Sequence, residues 1–109
     1  MDLVNELEHK TQLLDKKIDL LKRTGEDYAR AYTDYRVALA QELLKLKNEG
    51  YAITLAGDIA RGKREIAKLK FEEISNEAIY KANLESINSI KLQMRILSNQ
   101  IEKEWGTNE

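Results

Sequence analysis

One ladder of positions dominates the first half of the chain. From residue 4 to 46 the series Val4, Leu7, Thr11, Leu14, Ile18, Leu21, Gly25, Tyr28, Tyr32, Tyr35, Leu39, Glu42, Leu46 advances by alternating steps of three and four. Ten of its thirteen members are apolar or aromatic. That alternation places them on one side of an α-helix and is the seam of a coiled coil. Leu13, Leu20, Ala31, Ala38 and Leu43 flank the seam and widen it into the face of a helix bundle. No proline occurs in the 109 residues, so nothing in the sequence forces such a helix to stop. With 34% charged and 6% aromatic residues, the composition is that of long amphipathic helices.

Glycines mark the joints. Gly25 costs about 1 kcal/mol in a helix interior, yet the seam holds its phase from Leu21 to Tyr28, so one helix is expected over about 2–49. Lys45, Lys47 and Gly50 suit its C-terminal end. Gly50, Gly57 and Gly62 predict a turn over about 50–62, and a second helix follows over about 63–105. Its expected stripe is Ala67, Phe71, Ile74, Ala78, Ala82, Ile90, Met94, Leu97, Ile101 and Trp105, with Gly106 as the stop and a frayed tail after it. Helices of about 70 and 65 Å joined by one turn predict an all-α, antiparallel, coiled-coil-like hairpin in a single domain. Level residues should have numbers summing to about 112, which sets Leu7 against Trp105 and Tyr32 against Tyr80. One hairpin leaves a wide apolar face wet, so a homodimer, forming a four-helix bundle, or a higher oligomer is expected.

Composition bounds the function class. Without cysteine there is no disulfide or thiolate chemistry. The acid-bearing start "MDLVNELEHK" carries no visible signal peptide, and no apolar run approaches the ~18 residues of a membrane span. A net charge of −1 argues against a strongly basic nucleic-acid binder. The expected location is cytoplasmic.

"GDIARGKR", residues 57–64, nearly matches a phosphate-binding loop, but Arg64 stands where the magnesium-binding hydroxyl belongs and the chain offers no sheet behind it. No nucleotide, cofactor or metal is expected, and no catalytic residue. The same stretch begins a basic tip: Arg61, Lys63, Arg64, Lys68 and Lys70 against Glu65 alone. These five cations are the candidate contact for a protein partner or for nucleic-acid phosphates. Leu14, Ile18, Leu21, Tyr28, Tyr32, Tyr35, Leu39, Phe71, Ile74, Ile90, Met94, Leu97, Ile101 and Trp105 form the expected oligomer seam. The tyrosines are expected to form a core cluster with hydroxyls at the surface.

The central turn lacks the Trp-x-Gly of the small secreted WXG-type proteins. Most of the chain instead resembles small, uncharacterised helical proteins from the early recombination and replication region of phages and prophages of Gram-positive bacteria. The resemblance rests on "LKNEGYAITL", on Gly62-x-x-x-Ile66-Ala67-x-Leu69-Lys70-Phe71, on "YKAN" at 80–83 and on "SIKLQMRILSNQIEKEWG" at 89–106. It implies a phage accessory protein acting near DNA replication, recombination or host defence, and the residues, which offer no catalytic pattern, make a non-enzymatic role the expectation. Such a protein would bind a phage or host protein, as a recombination or replication adaptor or as an inhibitor of host defence. Nucleic-acid binding through the basic tip is the alternative.

Overall fold

In the computed structural model, which describes residues 2–107, every element is a helix: α1 (Leu3–Asn48), α2 (Ile53–Gly62) and α3 (Arg64–Thr107). α1 starts where Asp2 caps it, the carboxylate accepting the Val4 N–H at 3.0 Å. It runs unbroken through Gly25. It ends where Gly50 takes φ +97°, a conformation that favours glycine. The Tyr51 N–H then reaches back to the Leu46 carbonyl and the Gly50 N–H to that of Lys47, closing the terminal carbonyls in a Schellman motif.

The chain divides into two compact units. Residues 24–79 make a three-helix unit from the second half of α1, all of α2 and the start of α3. Its core joins Tyr35, Leu39 and Leu46 of α1, Ala56 and Ala60 of α2, and Ile66 of α3. Ala38, Leu43, Ile59 and Leu69 pack against that core. Small side chains bring α2 close to its neighbours, and Ala60 is 0% exposed. Within this unit α1 and α3 run antiparallel, with three contacts a heptad apart: Tyr28 with Glu77, Tyr35 with Lys70, and Glu42 with Lys63.

In the second unit the start of α1, up to Arg23, lies with α3 from Tyr80 onward. Its buried residues are Asn83, Ile87, Ile90 and Leu97, all from α3. Leu14, Leu21, Met94 and Ile101 are half-buried, whereas Ile18 and Trp105 are exposed. Asn83 donates from Nδ2 to the Lys17 carbonyl at 3.0 Å. A polar side chain in a seam, satisfied by one particular carbonyl, holds the two helices in one register.

Four expectations are corrected. The stretch 50–62, expected as a turn, contains the ten-residue helix α2. Contacts in the three-helix unit sum to 105 rather than about 112, one heptad away, so Tyr28 meets Glu77 and Tyr32 is exposed. The first half of the α3 stripe faces outward: Ala67, Phe71, Ile74, Ala78 and Ala82 are all exposed. The inward line in that half runs instead through the buried Ile66, Glu73 and Asn83 and the half-buried Leu69, Asn76, Glu77 and Tyr80. Gly106 lies inside α3 rather than ending it, and residues 108–109 of the expected frayed tail lie outside the described residues.

Candidate protein-interaction surface

Gly57 and Gly62 do not bracket a turn; both belong to α2. The glycine spacing of a phosphate loop therefore lies along a helix. There the N–H groups are committed to backbone bonds, such as Ala56 to the Ala52 carbonyl, and cannot converge on a phosphate. Gly57 is buried, and a Cβ built there would lie 2.9 Å from Nη1 of Arg61. Its hydrogen thus lets the Arg61 guanidinium fold back over α2.

The five cations of the expected tip do different things. Lys63 is the single extended residue between α2 and α3, at φ −68° and ψ 138°. Its N–H caps α2 through the Ala60 carbonyl, and its own carbonyl accepts the first α3 bond from Ala67. Its ammonium pairs with Glu42 of α1. One residue therefore joins all three helices. That hydrogen bond raises the lysine pKa and lowers the glutamate pKa, each against a smaller opposing cost of desolvation.

Lys70 pairs with Glu73 at 2.8 Å, and its Nζ sits 4.8 Å from the centre of the Tyr35 ring. The Glu73 hydrogen bond raises the Lys70 pKa. Glu73 is only 6% exposed, so this pairing is what permits a carboxylate in the seam. Tyr28 donates to Glu77 at 2.7 Å, and that bond holds its phenol above its ordinary pKa. Lys63 and Lys70 are thus paired within the chain, Lys70 while still exposed, and Arg61, Arg64 and Lys68 are exposed as well. The expected tyrosine cluster is partial: Tyr35 is buried, Tyr28 and Tyr80 are half-buried, and Tyr32 is exposed.

Sequence reasoning singled out Phe71 and Ile74 as seam residues but missed the apolar surface where α1 meets α2. Leu44 at the end of α1 and Ile53 and Leu55 at the start of α2 are exposed, Ile53 to 75%. Leu43, Leu44, Lys47, Ile53 and Ala56 line an open groove of about 290 Å³ between the two helices. On α3, Phe71 is 67% and Ile74 58% exposed. Large apolar side chains exposed among charges are a common mark of a protein contact. The signal for the groove was available: "YAITLA" is too apolar for a solvated turn, and Ala56 and Ala60 repeat at helical spacing.

A second groove of about 250 Å³ is lined by Asp27, Arg30, Asp34, Glu72 and Asn76 with Ala31 and Leu69. Among the described residues no group of three or more His, Cys, Asp or Glu is placed to hold a metal ion. Nor is any described helix long and apolar enough to cross a membrane. Compared with known proteins, the chain matches no family model, no curated protein and no solved structure.

Proposed function

We propose that this is a non-enzymatic accessory protein of a phage or prophage that works in the host cytoplasm by binding another protein. It acts as an adaptor in phage recombination or replication, or as an inhibitor of a host defence protein. It works as a homodimer or higher oligomer whose helices form a four-helix bundle. The observation that carries this reading is the apolar groove at the α1–α2 junction, with Ile53, Leu44 and Lys47 on its walls and Leu55 exposed on the same short helix. Arg61, Arg64 and Lys68, exposed in the same three-helix unit, complement a partner with an acidic rim.

The test is capture from a host lysate with the natural chain and with Ile53→Asp/Leu55→Asp in parallel. A protein retained by the first and lost with the second supports the groove as the contact. Equal retention by both removes it. Nucleic-acid binding through Arg61, Arg64 and Lys68 predicts oligonucleotide affinity that falls steeply between about 50 and 200 mM salt. It also predicts that reversing those three charges abolishes the affinity. With Lys63 and Lys70 engaged inside the chain, three cations remain for phosphates, which favours the protein partner.

A further inference from the structure

The exposed stripe on α3 has a definite order over its first four residues. Ala67, Phe71, Ile74 and Ala78 follow at steps of four, three and four, a coiled-coil spacing, and all four point away from the unit's own core. Their sizes read small, large, large, small. That order is the same in both directions, so it matches itself when a second helix is laid against it head to tail. We propose that this stripe pairs with the same stripe of a second copy, antiparallel, about a two-fold axis between Phe71 and Ile74. The proposal rests on the self-association in the function proposed above, and it names the face and the direction.

In that arrangement level residues of the two copies have numbers summing to 145. Phe71 of each copy packs on Ile74 of the other, and Ala67 lies level with Ala78, letting the backbones approach at both ends. An isologous contact of this kind closes on itself and adds no further copies.

Charge selects the same direction. Lys70 before the axis and Glu77 after it lie on the same flank of the stripe. Antiparallel pairing sets Lys70 beside Glu77 of the second copy on that flank, whereas parallel pairing sets Lys70 beside Ser75. The next layer outward brings Arg64 level with Lys81, with Glu85 one turn further on, so the apolar seam ends there after four layers. Such a short seam predicts a dimer that dissociates on dilution.

The absence of cysteine makes the test direct, because a single introduced thiol is the only one present. Ala67→Cys and Ala78→Cys are prepared separately, mixed, and oxidised; both positions are exposed, so neither change disturbs the core. The expected product is the mixed 67–78 species, with little of either same-site product. Same-site products in excess would mean parallel pairing and overturn the proposal.

Solution mass gives the second arm. The natural chain should approach twice its own mass as concentration rises, and Phe71→Lys should lose the dimer while its helical circular dichroism stays unchanged. A dimer untouched by Phe71→Lys removes the α3 seam and leaves self-association standing. One-chain mass at every concentration removes both, while the groove at α1–α2 stands or falls on the lysate comparison alone.

Discussion

The three-helix unit and the two-helix unit are built on the same long helices, yet they bury different amounts. Around α2 the chain buries residues from all three helices, among them Tyr35, Leu39, Leu46, Ala60 and Ile66. In the other unit the buried residues come from α3 alone, and its α1 partners, such as Leu14 and Leu21, stay half-exposed. Two helices in contact share one narrow line; a third helix closes a volume around that line. The third element here is only ten residues long. Its contribution comes from Ala56 and Ala60, whose small side chains let its backbone seal one end of the seam. The region with the closed core also carries the exposed apolar groove, the outward α3 stripe and the cations Arg61, Arg64 and Lys68. The close-packed core beneath them makes this unit the platform that holds these side chains in place.

The largest effect that separates the two units comes from truncating the closed core. Leu39→Ala should lower unfolding stability by about 2–5 kcal/mol in chemical denaturation, whereas the half-buried Leu14→Ala should cost clearly less. Equal losses would mean that the two units are packed alike. Next comes the joint between α1 and α2. Gly50→Ala meets no neighbouring atom, so its expected cost of about 1–2 kcal/mol is that of a left-handed backbone alone. Asn, which tolerates that conformation, should recover part of the loss.

A smaller effect depends on pH. Glu42 has its folded pKa lowered by Lys63, so its contribution is present above the ordinary carboxylate range and is lost as pH falls through the depressed value. Lys63 has its pKa raised, so its contribution is present below the ordinary lysine range and disappears as pH rises through the raised value. Melting followed from pH 7 down to 3 should show a decline that Glu42→Gln flattens. An identical decline in both chains would mean that the link across α1, α2 and α3 adds nothing. The smallest effect is on the outer stripe: Phe71→Lys should leave one-chain stability within about 0.5 kcal/mol, since the side chain is exposed. A large loss would place Phe71 in the chain's own core.

How far the sequence could be read depended on how each part hides its polar groups. α1 was legible because its seam is apolar at almost every step and Gly50 sits where a left-handed residue ends the helix. The contacts in the three-helix unit differ from the expected register by one heptad, which leaves the phase of the α1 seam intact while changing every partner. The first half of α3 misled because its most apolar stripe faces outward. Its buried line passes through Glu73 and Asn83, which look like surface residues in sequence. Partners such as Lys70 and the distant Lys17 carbonyl make that burial tolerable, and a sequence window does not contain the second of these. α2 was hidden by its glycines: Gly57 is a packing position under Arg61 rather than a bend. The basic tip was legible as a cluster of charge, but the pairing of Lys63 within the chain required Glu42, twenty-one residues away.

Amide hydrogen exchange on the intact chain tests the central difference most directly. Backbone amides of residues 35–46, 56–60 and 66–77 should be the slowest to exchange, opening only with global unfolding. Those of 5–20 and 85–105 should exchange earlier, through a separate opening. If both sets exchanged together, or if residues 85–105 were the more protected, the closed three-helix unit would not be the platform on which this surface is carried.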